Sequence, residues 1–250
     1  MPLIHHITNW VSISDCANIT RLIGGLPIMA HAREEVADMV SLSNALVLNI
    51  GTLTSELVDS MILAAKAANK KGIPVILDAV GVGATPFRDK KAYEIMDETH
   101  VDVIKGNASE IAKLAGKNVI TRGVESTDVQ ENLVETARDL SQSQNATVVI
   151  TGKEDIITDN DEIYLVKNGN EMMGKIVGTG CMAASIIATY CSLEKNHAKA
   201  AAIALSNYEI AAEKAFEIAK TPFAFKTKFF DEIYLLDKNV ENLQKIYSIF

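Results

Sequence analysis

The sequence has little that would place the protein in a membrane or against a polyanion. No apolar stretch reaches the roughly 18 residues that span a bilayer, and the segment from Met1 to Trp10 lacks a basic region followed by an apolar run. The formal net charge is -8, whereas nucleic acid or an anionic membrane would select a basic surface. We therefore expect a cytoplasmic protein with neither nucleic acid nor membrane as its partner, which leaves a small-molecule ligand open.

Cysteine is also scarce, and its spacing excludes two common roles. The three cysteines are an odd number without CxxC spacing, which fits neither a disulfide framework nor a structural zinc site. We interpret Cys16 and Cys191 as small buried hydrophobic residues. Cys181 lies in a glycine-containing motif and is considered with it below.

Linkers, repeats and low-complexity segments are absent as well. The five prolines are scattered, and no Pro-, Gly- or Ser-rich stretch interrupts the chain. With 48% apolar and 22% charged residues, the composition is that of a globular protein with a sizeable core. A length of 250 residues is near the upper limit for one such core, so we predict a single domain over residues 1–250.

Short apolar runs alternate with helical patterns along the first 150 residues. Runs at residues 45–51 and 73–78 flank an alanine-rich helical pattern at residues 54–71, which predicts a βαβ unit. The pattern recurs with strands at residues 101–107 and 146–152. Such nearly continuous apolar strands indicate a mainly parallel central sheet with helices on both faces, which is an α/β fold.

The strands at residues 101–107 and 146–152 each adjoin a helix, and the pattern then changes. A helix ending at Gly116 follows the first strand, and a helix opening at Ser126 precedes the second. Segments 155–158 and 162–166 around Asp159-Asn160-Asp161 then predict a hairpin at one edge of the sheet. From Gly180 onward the whole chain is predicted to be helical.

Polar residues follow four of the predicted strands. Ligands of parallel sheets bind outside the carboxyl ends of the strands. Those ends carry Asn49-Ile50-Gly51-Thr52, Asp78, Lys105-Gly106-Asn107 and Thr151-Gly152-Lys153. The sequence therefore predicts a ligand site at this edge of the sheet.

A glycine-containing turn precedes the first helix of the C-terminal part. The motif reads Val177-Gly178-Thr179-Gly180-Cys181 and continues into small residues. Backbone N–H groups at such a helix N-terminus, with roughly half a positive charge, can stabilise a transferred phosphoryl group. The sulfur of Cys181 would face that anion from the first turn. Because the pattern is weak by itself, a glycine-rich turn without function is the alternative.

Two carboxylates are candidates for holding magnesium. Asp78 ends an apolar strand, and Glu110 lies one turn into a helix that Asn107 can cap. A carboxylate at either position can hold Mg²⁺ through water and so position the phosphates of ATP. The alternatives are a loop cap for Asp78 and a capping pair for Asn107 and Glu110.

Together these segments resemble the ribokinase-like small-molecule kinases, and within them the hydroxyethylthiazole kinase family. The resemblance covers nearly the whole chain in seven ordered segments: HHITNWV at His5, PIMAHAREE at Pro27, LNIGTL at Leu48, ILDAVGVGAT at Ile76, IKGNASEI at Ile104, VVITG at Val148 and VGTGC at Val177. Ribokinase relatives usually carry Asp at the position of Cys181, as the base that takes the alcohol proton. The thiazole kinases are similar to this sequence in having Cys there.

The resemblance implies a ribokinase-like fold and a kinase that uses ATP and Mg²⁺ to phosphorylate 4-methyl-5-(2-hydroxyethyl)thiazole in thiamin salvage. It also implies a homotrimer whose substrate pockets are shared between subunits. Carried over by position, it makes Cys181 the active-site thiol, Met29 and Gly178 substrate-binding, Lys105 and Thr151 ATP-binding, and Asp78 and Glu110 magnesium-linked. For Met29, core packing is the alternative. His31, in the same segment as Met29, is expected near the ligand.

Several positions depart from the family pattern. Lys105 stands where Arg is usual, Ala79 replaces Pro, His6 replaces Asn, and the Gly-Pro-Gly-Ser expected before the last helix is absent around Pro222. A lysine keeps the charge of arginine but not its planar fork. Two further functions are therefore kept open: a ribokinase-like kinase for a pyrimidine alcohol or a sugar, and a ligand-binding relative without turnover.

Overall fold

A computed structural model describes residues 1–117, 127–160, 162–236 and 240–249 of the chain. Ser126 and Asp161, which the sequence places at a helix start and in a turn, lie outside these residues. Within the described ranges, every helix is too short or too polar to cross a lipid bilayer. The organisation of the chain as a single domain stays a prediction.

The described strands form one nine-stranded sheet. They are β1 (Leu3–Ile7), β2 (Leu26–Ile28), β3 (Ala45–Asn49), β4 (Val75–Asp78), β5 (Val103–Asn107), β6 (Thr147–Thr151), β7 (Asp155–Asp159), β8 (Glu162–Val166) and β9 (Ile246–Ile249). Their order in the sheet is β2-β1-β3-β4-β5-β6-β7-β8-β9. Strands β1 to β6 pair in parallel, and β7, β8 and β9 continue the sheet in antiparallel pairs. The prediction of a mainly parallel sheet is confirmed.

Helices cover both faces of this sheet. They are α1 (Ile13–Leu22), α2 (Val36–Leu42), α3 (Ser55–Lys71), α4 (Pro86–Glu98), α5 (Ala108–Leu114), α6 (Thr127–Gln144), α7 (Thr179–Cys191), α8 (His197–Ile218) and α9 (Pro222–Tyr234). Helices α1, α7, α8 and α9 bury one apolar cluster against the sheet, and α2 to α6 bury another. Along β3, Ala45 and Val47 belong to the first cluster, whereas Leu46 and Leu48 belong to the second. Helices on both faces, as predicted, are confirmed.

Helix α3 shows how local sequence sets the bounds of an element. The Thr54 side chain accepts a hydrogen bond from the Leu57 N–H, which satisfies one of the free donors at the helix start. Gly72 adopts φ 75°, a left-handed conformation that costs glycine little, and this ends the helix. Lys70 and Lys71 in the last turn interact favourably with the helix dipole. The helical pattern predicted for residues 54–71 is therefore confirmed to within one residue.

The C-terminal part departs from the prediction at one strand. The hairpin of β7 and β8 is confirmed by their antiparallel pairing. Its predicted place at the sheet edge is wrong, because β9 pairs with β8 and forms the edge instead. The prediction that all of the chain after Gly180 is helical is wrong for the same reason. Four residues, Ile246–Ile249, become a strand because β8 supplies the backbone partners they need.

Candidate active site

Three polar side chains lie side by side at the carboxyl ends of β3, β4 and β5. The strand register pairs Asn49 with Asp78 and Asp78 with Lys105. The Asn49 amide donates to Asp78 Oδ2 at 2.5 Å, and Lys105 Nζ donates to Asp78 Oδ1 at 3.0 Å. All three residues are buried. The predicted convergence of strand ends therefore produces a buried ion pair supported by an amide.

The electrostatics of this pair keep Lys105 protonated. Burial alone would lower the pKa of Lys105, but the charge and hydrogen bond of Asp78 outweigh burial and raise that pKa above its ordinary value. Burial also raises the pKa of Asp78, against the opposing effect of the Lys105 ammonium. Protonated lysine is the form that interacts with a phosphate. The pairing therefore keeps the Lys105 ammonium charged at the strand ends.

The first turn of α7 approaches this lysine. Gly178, at the N-cap, has φ 97°, and a Cβ there would lie 3.0 Å from Ser12 Cβ, so only glycine fits without strain. A Cβ at Gly180 would lie 3.2 Å from Lys105 Nζ. The first helical hydrogen bond that α7 makes to its N-cap runs from the Met182 N–H to the Gly178 carbonyl. The amide groups before Met182 and the Lys105 ammonium thus form one positively polarised corner.

Cys181 joins the same network through Asn9. The Asn9 Nδ2 group donates to Cys181 Sγ at 3.3 Å and to Asn49 Oδ1 at 2.9 Å. Asn9 Oδ1 accepts hydrogen bonds from the Val11 and Ser12 N–H groups, which fixes the amide orientation. Asn9 was not identified from the sequence, although it lies within the HHITNWV segment. Hydrogen bonds therefore connect the thiol to Asp78 through two asparagines.

The other two cysteines differ from Cys181 in their surroundings. Cys16 and Cys191 are buried, whereas Cys181 is half-buried. Burial raises the pKa of the Cys16 thiol to about 11 and that of the Cys191 thiol well above its ordinary value. The interpretation of Cys16 and Cys191 as buried hydrophobic residues is confirmed.

Glu110 makes the capping interactions that the sequence offered as its alternative role. Asn107 and Glu110 form a capping box at the start of α5, with the Asn107 N–H donating to Glu110 Oε2 at 2.7 Å. Glu110 Oε1 accepts from the Gly81 N–H at 2.8 Å. Glu110 therefore ties α5 to the loop that follows Asp78, and each of its oxygens retains one lone pair.

The available ligand atoms suit a magnesium ion that keeps several waters better than a metal ion held entirely by protein side chains. Among the residues that the structure describes, no group of three or more His, Cys, Asp or Glu side chains is placed to hold a metal ion. Mg²⁺ typically keeps several waters and binds one or two carboxylates together with substrate phosphates. Asp78 and Glu110, whose oxygens already accept hydrogen bonds, fit that arrangement through water.

Met29 and His31 lie at the end of β2, on the far side of β1 from the ion pair. His31 Nδ1 lies 2.9 Å from the Met29 carbonyl, and His31 Nε2 accepts from the Thr8 N–H at 3.1 Å. Both contacts are satisfied by one tautomer, with the proton on Nδ1. The Trp10 ring packs on His31 with centroids 4.9 Å apart. Met29 itself is half-buried and packs against the core under α1 and α7.

Thr151 lines a cavity of about 690 Å³ next to the α7 N-terminus. Thr179, Gly180 and Tyr208 line other walls of the same cavity. The Thr151 hydroxyl lies 3.4 Å from the Gly106 carbonyl, so Thr151 is tied to the strand that carries Lys105. The structure thus brings Asp78, Lys105, the α7 start and Thr151 together, while Met29 follows β2 and packs against the same apolar cluster as Cys181.

Comparisons with known proteins place the chain in one family. The model of the hydroxyethylthiazole kinase family matches residues 1–239. A hydroxyethylthiazole kinase of Methanosarcina mazei is 56% identical over 249 residues, which is 99% of this chain and 95% of that protein. The solved hydroxyethylthiazole kinase of Pyrococcus horikoshii OT3 is 38% identical with a TM-score of 0.92, covering all of this chain and 94% of its own. A ribokinase-like superfamily protein of Enterococcus faecalis, 11% identical with a TM-score of 0.68 over 93% of this chain and 85% of its own, shares the fold.

Proposed function

The chain belongs to the hydroxyethylthiazole kinase family, and from that premise we propose that it phosphorylates 4-methyl-5-(2-hydroxyethyl)thiazole with ATP. The products are the thiazole phosphate and ADP, in the salvage step that leads to thiamin phosphate. The observation that carries the proposal is the approach of the Lys105–Asp78 pair to the first turn of α7, where Cys181 lies. Charged lysine, helix amides and thiol converge where a γ-phosphoryl group and an alcohol would meet.

In the proposed reaction, the substrate oxygen bonds to the γ-phosphorus while the bond from that phosphorus to the ADP oxygen breaks. Such a transition state is loose and needs alignment and charge stabilisation more than a strong base. The amides of Gly180 and Cys181 stabilise the equatorial oxygens, and the Lys105 ammonium, whose charge Asp78 partly balances, lies next to them. Asn9 fixes the Cys181 sulfur beside the substrate hydroxyl, whose proton passes to an oxygen of the transferred phosphoryl group as the new oxygen–phosphorus bond forms.

Magnesium would be held by Asp78 and Glu110 through water. When bound, the ion supplies positive charge to the β- and γ-phosphates. Lys105 balances the Asp78 charge inside the protein, and Gly81 holds the Glu110 carboxylate. The protein contributes to magnesium binding by holding these two carboxylates in fixed orientations at the strand ends.

The thiazole ring is proposed to lie against Met29 and Gly178. A thioether packs favourably on aromatic rings, and a glycine at position 178 lets a ring approach the backbone closely. The neighbouring His31 is fixed by Met29 and Thr8, so the end of β2 offers a preformed wall. Thr151 is proposed to bind ATP from the cavity next to α7.

We also propose a homotrimer that completes the substrate pocket, and a cytoplasmic location. Val11 and Val177 are 67% and 73% exposed and flank the close contact of Ser12 with Gly178. Exposed valines beside a substrate pocket suit burial against a second copy of the chain. Light scattering on the purified protein measures the mass, and a monomer at assay concentration that is fully active would exclude shared pockets.

An assay of the unmodified protein tests the substrate. Release of ADP is measured with ATP and Mg²⁺ against the thiazole alcohol, a pyrimidine alcohol and a sugar, and mass spectrometry identifies the product. We expect the thiazole phosphate to form with the highest kcat/KM. A higher kcat/KM for the pyrimidine alcohol or the sugar would assign that compound as the substrate instead. Binding of ATP without any phosphorylated alcohol would favour a ligand-binding relative.

A further inference from the structure

A buried tyrosine in the middle of α8 is hydrogen-bonded to the first turn of α7. Tyr208 is 2% exposed, and its hydroxyl donates to the Thr179 carbonyl at 3.0 Å. That carbonyl belongs to the same peptide group as the Gly180 N–H, which is proposed above to bind the transferred phosphoryl group. In a trans peptide the C=O and N–H point in opposite directions. The tyrosine therefore holds this peptide by its oxygen and leaves its N–H for a ligand.

Aromatic packing fixes the ring that carries this hydroxyl. The Tyr208 ring packs on Phe229 with centroids 4.9 Å apart, and Phe225 stacks on Phe229 in turn. Both phenylalanines lie in α9 and are fully buried. Burial also raises the pKa of Tyr208 well above its ordinary value, so the phenol stays protonated. The hydroxyl is therefore a permanent donor in a fixed position.

Thr179 stands between two glycines, and contacts from outside its own helix hold it. Gly178 has a left-handed backbone and Gly180 has no side chain, so this stretch has much conformational freedom of its own. The Thr179 hydroxyl lies 3.1 Å from the Met173 carbonyl, in the turn before α7. With its carbonyl held by Tyr208 as well, Thr179 is fixed from two sides.

We propose that Tyr208 is a positioning residue for phosphoryl transfer, because its hydroxyl orients and polarises the peptide that presents the Gly180 N–H. The inference rests on the proposed role of that amide. A hydrogen bond accepted by a peptide oxygen strengthens the donor at the other end of the same peptide, since hydrogen bonds in a chain polarise one another. A donor that is already oriented stabilises the transition state without reorganising during the reaction.

This role should affect kcat more than either KM. In the proposed site, Lys105 and magnesium also bind the phosphates of bound ATP, so the ground state does not depend on one amide. An interaction that is stronger in the transition state than in the ground state raises kcat. The orientation of the Gly180 N–H is such an interaction, because it matters most when the phosphorus moves toward the alcohol.

Two variants that each remove one hydroxyl separate this role from packing. Tyr208→Phe keeps the ring and removes the donor, so we expect kcat to fall about fivefold or more, with both KM values within about twofold of the unmodified ones. The control is Tyr190→Phe at the other end of α7, where the hydroxyl accepts from Asn207 Nδ2 at 2.9 Å. Each variant loses one hydrogen bond, so both should lower the melting temperature by a similar amount. Tyr190→Phe should keep its kcat.

Nuclear magnetic resonance observes this peptide directly. The sequence has Thr followed by Gly only at Thr151-Gly152 and Thr179-Gly180. Protein labelled with carbonyl-13C threonine and 15N glycine therefore gives two signals when each amide is correlated with the preceding carbonyl, and Gly152→Ala removes one of them and so assigns both. Tyr208→Phe should move the Thr179 carbonyl signal upfield, the direction expected when a carbonyl loses a hydrogen bond. The Gly152 signal should stay in place, and Tyr190→Phe should move neither.

A non-hydrolysable analogue tests the phosphoryl contact without turnover. In the unmodified protein, the Gly180 amide signal should shift further with the β,γ-imido analogue of ATP and Mg²⁺ than with ADP and Mg²⁺, because only the analogue has a γ-phosphoryl group. Tyr208→Phe should reduce that difference, and Tyr190→Phe should keep it.

The inference is overturned if Tyr208→Phe keeps its kcat, or if its Thr179 and Gly180 signals stay where they are in the unmodified protein. Unfolding, or a melting temperature far below that of Tyr190→Phe, would give the hydroxyl a structural role and overturn it as well. If the protein phosphorylates no alcohol, but its Gly180 signal responds to the analogue and depends on Tyr208, the proposed function is refuted and this inference is supported.

Discussion

Lys105 Nζ lies 3.0 Å from Asp78 Oδ1, and both side chains are buried at the ends of neighbouring strands. The pairing with Asp78 keeps the Lys105 ammonium in place. Because the pair is buried, each charge depends on the other for its stability. The Lys66–Glu98 pair is shorter, at 2.6 Å, but exposed, so comparing the two pairs isolates the effect of burial.

Lys105→Met should lower the free energy of unfolding by about 3–5 kcal/mol, because it leaves the Asp78 carboxylate buried and unpaired. Lys66→Met should cost about 1 kcal/mol or less, since exposed pairs contribute little. Urea unfolding of both variants measures the difference. Adding Asp78→Asn to Lys105→Met should restore part of the lost stability. Equal effects at the two lysines would show that the buried pair is not a structural requirement.

Cys181→Asp should give a folded protein whose turnover is retained or raised. The new carboxylate would lie in the first turn of α7, where the helix dipole contributes roughly 0.3–1 kcal/mol, and Asn9 Nδ2 is placed to donate to it. Cys191→Asp puts the same group at a buried thiol and should unfold the protein. Thermal melts measure the stability of both variants, and the phosphorylation assay measures the turnover of Cys181→Asp. Collapse of the Cys181 variant as well would remove residue 181 from the active site.

Glu110→Gln should raise the Mg²⁺ concentration needed for half-maximal activity, because a neutral amide does not balance the charge of the ion. Glutamine has one acceptor oxygen for the two N–H groups, of Asn107 and Gly81, that Glu110 accepts from, so one of these hydrogen bonds is lost at a cost of about 1 kcal/mol. Asn107→Ala breaks the capping box of α5 and leaves the Glu110 carboxylate in place. We expect similar melting temperatures for the two variants and a changed magnesium requirement for Glu110→Gln alone. The same magnesium titration for both would leave Glu110 with its capping role.

Met29→Ala should raise the KM for the thiazole alcohol more than the KM for ATP, since thioether–ring contacts contribute about 0.3–1.5 kcal/mol. Met61→Ala in the opposite core layer is the control, because Met61 of α3 is fully buried. That variant should lose about 2–5 kcal/mol of stability and change neither KM selectively. A Met29 variant that behaves like the Met61 variant would assign Met29 to the core.

His6 should make the protein less stable in acid. Burial lowers the pKa of His6 from 6.5 to about 4. The unfolded chain therefore binds a proton that the folded chain does not, so stability is full above about pH 6.5 and falls by about 3 kcal/mol as pH drops to about 4. His6→Gln, which keeps a polar group toward Ser185, should flatten this slope, whereas His100→Gln at a half-exposed position should not. Urea unfolding across pH 4 to 7.5 measures both, and equal slopes would contradict the assignment.

Most of the central sheet could be predicted because its strands are short, apolar and separated by regular helices. β1 was missed because His5 and His6 interrupt its apolar character, and these side chains are buried by contacts with Ala30 and Ser185 that the sequence does not reveal. β2 has only three residues. β9 exists through its pairing with β8, a contact across about 80 residues that no local pattern encodes.

Part of the candidate site was also predictable, because it lies at the ends of these short apolar strands. Strand ends can be read from a pattern, and Asp78 and Lys105 were placed together by it, although their direct pairing was not foreseen. Asn9 escaped because its contact with Cys181 spans 172 positions. Tyr208 escaped as well, because its hydrogen bond to Thr179 joins two helices, and a tyrosine in an apolar helix does not stand out from ordinary core residues in the sequence.

The hydrogen bond between Asn9 and Cys181 also has a consequence for biosynthesis. A nascent chain emerging from the ribosome carries Asn9, Asn49, Asp78 and Lys105 long before it carries Cys181. Until α7 has been synthesised, the strand ends are uncovered. Asp78 and Lys105, which the folded protein buries, then remain in contact with water. Contacts so distant in sequence form slowly, so the helix that brings the thiol is expected to close the site late, after most of the protein has been translated.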